Sequence, residues 1–230
     1  MELAAHGWTI LGPHLLRDGA RAALSQLGTI IPQFNDQDTF EVTLKRGFES
    51  LPYSQSKNAI GPHTEAPVYD PPPRYLALDC HRQARCGGGQ TLLADGFDFY
   101  ESLSVGLKAW ARDNWIDFTA DAQPGSSQRR THRARLMSQE GGATVFRFSY
   151  NQFRYGNVNP SEADIESATA HEDDAPLSQI ARLGEAFFYE KVIPVLIPDG
   201  NLLIWDNHRL MHARSEYSDS SRRLTRYWLR

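Results

Sequence analysis

Hydrophobic positions along this chain fall into short blocks cut by Gly and Pro, and the blocks carry two different periods. Gly7-Trp8-Thr9-Ile10-Leu11 reads as a strand closed by Gly12-Pro13. Leu15, Leu16, Ala20, Ala23, Leu24 and Leu27 then recur at helical spacing, and Gly28 stops that predicted helix. Thr29-Ile30-Ile31 and Phe40-Glu41-Val42-Thr43-Leu44 return to strand character. Pro71-Pro72-Pro73 breaks the chain before an alternating apolar run over residues 74–80, and Gly87-Gly88-Gly89 is a turn. Residues 98–115 predict an amphipathic helix with Tyr100, Leu103, Leu107 and Trp110 on one stripe. Residues 121–143 are polar and read mostly as loop, with short strand pieces. Val145-Phe146-Arg147-Phe148-Ser149-Tyr150 predicts a strand. Residues 156–176 are polar and acidic, and Leu177, Ile180, Leu183, Phe187 and Phe188 mark a second helix. The turn Pro198-Asp199-Gly200-Asn201 leads into a buried strand at Leu202-Leu203-Ile204-Trp205, and Leu224-Thr225-Arg226-Tyr227-Trp228-Leu229 forms another. Many short strands with Gly/Pro turns favour a mainly β fold, a jelly roll or sandwich with flanking helices, over a βαβ fold. No linker divides the chain, so residues 1–230 read as one domain.

Composition narrows the function more than the fold. A net charge of −4 makes the chain a poor nucleic-acid binder, because the phosphate backbone demands a positive face. No apolar run approaches the ~18 residues of a membrane span, and the first residues lack a basic stretch followed by an apolar one, so a cytoplasmic protein is expected. Cys80 and Cys86 could pair, but nothing implies an oxidising compartment, and buried or inert thiols are the preferred reading. Eight His against two Cys leave room for a metal held by imidazole and carboxylate, and exclude a Cys-based zinc ribbon. The cations are 20 Arg against 4 Lys.

Three constellations could carry chemistry. On an extended segment His63 and Glu65, at i and i+2 in Pro62-His63-Thr64-Glu65, present an imidazole and a carboxylate to one face. Trp205-Asp206-Asn207-His208-Arg209-Leu210-Met211-His212-Ala213-Arg214 offers His208 and His212 after a buried strand; one of them is a candidate third ligand. Arg209, Arg214, Arg222, Arg223, Arg226 and Arg230 cluster in the last 22 residues without a Lys, and guanidinium is the cation that grips a carboxylate in a fork. Two His and one carboxylate with the remaining positions open is the facial triad of non-haem Fe(II) oxygenases. A bidentate co-substrate with a distal carboxylate also needs a buried cation and a hydroxyl opposite the metal.

The order His63-Thr64-Glu65, Pro71-Pro72-Pro73, Gly88-Gly89-Gln90-Thr91-Leu92, Trp205-Asp206-Asn207-x-Arg209-x-x-His212-x-Arg214 and Arg222 resembles the Fe(II)/2-oxoglutarate-dependent oxygenases of the taurine dioxygenase and clavaminate synthase-like group, from about residue 40 to the C-terminus. The resemblance implies a double-stranded β-helix, a jelly-roll barrel with helices outside. It implies that His63, Glu65 and His212 hold iron, with His208 at the variable position of the pattern. Thr91 and Arg222 would hold the far carboxylate of 2-oxoglutarate, with Arg223 the alternative register. Arg226, four residues on, is a candidate for a substrate or co-substrate carboxylate. Glu rather than Asp as the metal carboxylate tilts the substrate toward an amino acid or an amino-acid-derived metabolite. The implied reaction consumes O₂ and 2-oxoglutarate, releases succinate and CO₂, and hydroxylates an unactivated C–H. Desaturation or epoxidation, a non-enzymatic jelly-roll protein binding metal or ligand, and a zinc hydrolase are the alternatives. Arg147, Ser149 and Asn151, alternating on the predicted strand, are candidate substrate contacts. Arg129, Arg130, Arg133 and Arg135 would make a basic lid from residues 121–143.

Overall fold

A computed structural model of the chain describes residues 2–33, 36–48, 54–121, 129–167 and 175–230. Helix α1 (Glu2–His6) precedes β1 (Trp8–Leu11). The helix expected over 15–27 is cut in two: a 3-10 turn at Pro13–Leu15, and α2 (Ala20–Ser25). Gly19, at φ +87°, is in the left-handed region and ends the first piece before the second can begin. Strands β2 (Ile30–Ile31), β3 (Phe40–Thr43), β4 (Ile60–His63), β5 (Tyr75–Arg82) and β6 (Thr91–Asp95) follow. The helix expected over 98–115 is also two, α3 (Gly96–Ser102) and α4 (Val105–Asp113). Each has its own N-cap: Asp95 accepts from the amides of Phe97 and Asp98, and Ser104 from that of Leu107.

The polar stretch expected to be mostly loop contains paired strands. β7 (Ile116–Asp121) pairs antiparallel with β8 (Arg129–Ala134), and β9 (Met137–Glu140) with β10 (Ala143–Phe146). Pro124-Gly125-Ser126-Ser127 lies outside the described residues. The strand expected over 145–150 stops at Phe146, and α5 (Tyr150–Tyr155) starts where Ser149 accepts the Gln152 amide; Gly156, at φ +72°, closes it. Helices α6 (Glu162–Ser167) and α7 (Pro176–Lys191) then lead to β11 (Ile193–Val195), β12 (Leu202–Asp206), β13 (Leu210–Arg214) and β14 (Arg223–Leu229).

The strands form two main antiparallel sheets. The larger runs β1-β12-β5-β14-β2, with β3 also on β14; the smaller runs β11-β6-β13-β4. Alternation sorts their side chains into three apolar layers. Leu76, Leu78, Trp205, Leu224 and Trp228 of the larger sheet meet Leu93, Val195 and Leu210 of the smaller one in the layer between the sheets. Ala77, Leu202, Ile204 and Leu229 face outward onto Leu24 and Ala20 of α2. On the other side Leu92, Ala94, Met211 and Ala213 turn outward to Phe99, Phe146, Phe148, Ile180 and Phe188, around α3 and α7. The inward face of β13 therefore carries Leu210, His212 and Arg214, and so sets polar groups into the layer between the sheets. Among the described residues, no helix is long and apolar enough to cross a membrane.

Helix α7 packs onto the outer aromatic layer through Gly184, where an added Cβ would fall on the Phe148 ring and lie 3.2 Å from Phe99. Gly184→Ala gains roughly 1 kcal/mol of helix propensity but overpacks a filled core at a cost of roughly 1–3 kcal/mol. Overpacking is expected to win, lowering the urea midpoint of the variant; an unchanged or raised midpoint would show that the aromatic layer yields.

Candidate metal centre

The site is built by strand register. β13 pairs antiparallel with β4 so that His212 sits directly opposite His63. Directly opposed residues share a face, and the two imidazoles lie 4.1 Å apart between centroids. Glu65 follows the end of β4, where Ala66 takes a positive φ of 51° and turns the chain. Asn207, in the turn between β12 and β13, ties that turn down: its Oδ1 accepts the Glu65 amide at 2.6 Å, and its Nδ2 donates to the carbonyls of Glu65 and Pro73. Thr64 bonds to Phe148 through both backbone and side chain.

The result is a compact donor set. Glu65 Oε2 lies 3.7 Å from His63 Nε2 and 3.5 Å from His212 Nε2, and the three ligand atoms fall within 4.8 Å of one another. His63 Nδ1 donates to the Gly61 carbonyl at 2.9 Å, which leaves the Nε2 lone pair facing the cluster. Burial pushes the His212 imidazolium down to about 4, with the neighbouring His63 adding to the effect, so this ring is neutral at pH 7. Burial alone would raise the Glu65 carboxyl, but Arg226 and the two histidines overcome it and hold it well below the ordinary range. Two imidazoles, that of His212 neutral, around an ionised carboxylate are the donor set that a divalent ion of the first transition row requires. The residues present fit such an ion.

His208 goes elsewhere. It is buried in the turn, with Nε2 against the Pro72 carbonyl at 3.1 Å, so the triproline segment accounts for it. Arg209 pairs with Asp95.

A cavity of about 110 Å³ opens over the cluster, lined by His63, Glu65 and Arg226 together with Phe40, Tyr69 and Asp121, among others. Arg147, Ser149 and Asn151 are not part of it. Arg147 is buried in an ion pair with Glu140, Ser149 caps α5, and Asn151 lies on that helix, because the strand expected to align them ends at Phe146. Of the expected basic lid, Arg129 pairs with Asp164, Arg133 with Asp117, and Arg135 lies over Trp115. Arg130 alone of the four stacks on a cavity residue, 4.5 Å from the Tyr69 ring.

Arg222 and Arg226 separate. Arg222 is buried while Arg223 is exposed. Arg222 lies against Gly89, where an added Cβ would come 2.8 Å from Nε, so the Gly-Gly-Gln-Thr turn makes room for this side chain. Its Nε donates to Gln83 Oε1 at 3.2 Å, while Arg222 Nη1 and Gln83 Nε2 are buried donors without a hydrogen-bond partner. Thr91, also buried, opens β6 opposite Arg214, two positions along β13 from His212. Arg226 does grip a carboxylate, but that of Glu65, at 2.8 Å. Gln33 and Gln83 carried no signal in the sequence; each is a lone Gln outside any motif, found only because the fold folds it onto an arginine. The thiols form no disulfide: Cys80 is buried and raised to about 11 by burial, while Cys86 is exposed and lowered to about 6 by the amides of Ser218, Asp219 and Gly88.

A model of the taurine catabolism dioxygenase TauD, TfdA family matches residues 12–228. The chain belongs to the TauD/TfdA family. No curated protein matches the sequence. Among solved structures, asparagine oxygenase in complex with Fe(II), 2S,3S-3-hydroxyasparagine and succinate matches at a TM-score of 0.70 and 17% identity, over 90% of this chain and 64% of that one. The non-heme iron oxygenase OrfP matches in complex with Fe and alpha-ketoglutaric acid, at a TM-score of 0.65 and 17% identity over 99% and 76% of the two chains. It also matches in complex with Fe, succinate and (3S)-hydroxy-L-Arg, at 0.66 and 16% over 100% and 78%. These are likenesses of fold. This TauD/TfdA member spans under two thirds of the asparagine oxygenase chain.

The histidine shift gives a pH signature. The folded-state value of about 4 lies below the ordinary 6.5, so the unfolded chain binds the extra proton between those limits. Stability is then full above pH 6.5 and falls as the pH drops toward 4, by on the order of 3 kcal/mol for this group. Urea titrations of metal-stripped protein at pH 7 and pH 4.5 should show that loss, and His212→Gln should flatten it; equal slopes in the two proteins would contradict a buried neutral His212.

Proposed function

We propose that this protein is an Fe(II)- and 2-oxoglutarate-dependent oxygenase that hydroxylates an unactivated C–H of an amino acid or an amino-acid-derived metabolite. The observation that carries it is the convergence of His63, Glu65 and His212 beside a cavity, in a chain of the TauD/TfdA family. In this reading the two facing sheets are the walls of a double-stranded β-helix, and residues 1–230 form one catalytic domain. Iron held there would supply O₂ activation coupled to oxidative decarboxylation of 2-oxoglutarate to succinate and CO₂.

The chain's own residues then have distinct tasks. His63 presents Nε2 because Gly61 holds Nδ1, and His212 stays neutral because it is buried. Arg222, with Thr91 and Gln83 Nε2, receives the far carboxylate of the co-substrate: a buried guanidinium nitrogen and an amide nitrogen with no acceptor are a site prepared for an anion. The walls formed by Phe40, Tyr69 and Val68 keep the cavity apolar and restrict water at the reacting carbon. An amino-acid substrate is favoured by the products bound in the two matched oxygenases, hydroxyasparagine in one and hydroxyarginine in the other.

Succinate release from 2-oxoglutarate should require Fe(II), O₂ and a substrate drawn from a panel of free amino acids and simple derivatives, and His63→Ala should abolish it. Turnover by that variant at the wild-type rate would refute the metal assignment. Arg222→Leu should raise the KM for 2-oxoglutarate at least about 30-fold, since breaking a buried charged hydrogen bond costs roughly 2 kcal/mol or more. An unchanged KM would move the carboxylate site off this arginine.

A further inference from the structure

Glu65 uses its two carboxylate oxygens differently. Oε2 faces Nε2 of both histidines, whereas Oε1 receives Arg226 Nη1 at 2.8 Å. Arg226 is held from behind. Its Nε donates to Gln33 Oε1 at 2.9 Å, and Gln33 Nε2 donates back to the Arg226 carbonyl at 2.9 Å. Gln33 Nε2 also reaches the Asp38 carbonyl at 3.4 Å, so the orientation of this amide is set by donors on one side and acceptors on the other. The guanidinium lies over the rings of Phe40 and Trp228, at 4.8 and 5.3 Å. Glu65, Arg226 and Gln33 are all buried.

We infer that Arg226 is a positioning residue for the metal carboxylate, set in place by Gln33. The inference rests on the reading of the cluster as a metal centre. A carboxylate can meet an ion through one oxygen or both, and a second oxygen would take a position that the co-substrate or O₂ needs. Arg226 occupies Oε1 and leaves Oε2 as the oxygen aimed at the ion. Outer partners of this kind orient ligands, and losing one typically weakens metal binding by 10- to 100-fold.

The test is a titration of metal-stripped protein with Co(II), followed by visible absorption, alongside succinate-release kinetics at saturating metal. Arg226→Lys keeps the charge but loses the fork and the Nε contact. It is expected to bind Co(II) roughly 10- to 100-fold more weakly, with an altered ligand-field spectrum. Gln33→Met leaves both charges in place, and should shift Co(II) affinity in the same direction by less; it carries the test if Arg226→Lys does not fold. Wild-type Co(II) affinity and spectrum in both variants would overturn the inference, as would a rise confined to the substrate KM. Failure of the wild-type protein to bind Co(II) is a different result: it would remove the metal centre itself, and this inference with it.

Discussion

A carboxylate buried between two sheets is the constraint on which the rest of this structure turns. An isolated carboxylate in such a place would take up a proton and lose its charge. Glu65 keeps the charge because every direction around it is committed: Arg226 on one oxygen, two imidazoles on the other, Asn207 on its backbone. Arg226, His212 and Asn207 are buried too, His63 partly so, and three of the four are held by further hydrogen bonds. Gln33 holds Arg226, Gly61 holds His63, and Pro73 holds the Asn207 amide. The site is thus a hydrogen-bonded shell two residues deep, and its members come from β4, the turn after it, the segment around Gln33, β13 and β14. No single element could be shifted without stranding a buried polar group.

Strand register converts that shell into geometry. His63 and His212 are 149 positions apart in sequence, yet one antiparallel pairing places them face to face. A slip of one residue in β13 would turn His212 outward into the Phe99 layer and bring Met211 or Ala213 into the site. Asn207 guards against that slip. It sits in the turn that starts β13 and bonds to Glu65 just after β4 and to Pro73 just before β5, so the start of one histidine-bearing strand is fixed to the end of the other. The same motif gives Asp206 to the His208 amide, and Arg209 to the Asp95 carboxylate that caps α3. The Trp-Asp-Asn-x-Arg sequence is therefore a set of anchors, each of which serves the register.

Much of this was legible in the chain, and for identifiable reasons. The strand residues 40–43, 75–80, 202–205 and 224–229 alternate or run apolar over a length that only strands require, and β3, β5, β12 and β14 lie there. His63, Glu65 and His212 are readable as a set because their spacing belongs to a shared order of motifs. What was not legible turned on single residues that override a periodic pattern. Gly19 and Ser104 each split a helix whose apolar stripe continues across the break. Ser149 starts a helix inside what reads as a strand, because a hydroxyl that satisfies the Gln152 amide outweighs two more residues of alternation. β8 and β9 were legible only as short strand pieces in a stretch read mostly as loop, because they are largely polar and carry little apolar signal. Gln33 and Gln83 act wholly through tertiary contacts, which no local pattern encodes.

The preference for Arg over Lys acquires a physical meaning in the same terms. Arg147, Arg214, Arg222 and Arg226 are buried, and among the described residues no Lys is. A guanidinium brings five donors in a fixed plane, so it can satisfy several acceptors and stack on rings at once; an ammonium offers one strongly hydrated point. Arg226 bonds to Glu65 and Gln33 and lies over two aromatic rings, which a Lys at that position could not match. Arg222, four residues earlier, lies over Tyr217 and bonds to Gln83, yet keeps a nitrogen without an acceptor. The contrast divides the labour between two similar side chains at one edge of the layer between the sheets. Arg226 has its charge matched from within the protein by Glu65, whereas Arg222 has a buried nitrogen unmatched among the described residues, and that difference is what supports the carboxylate role proposed for Arg222.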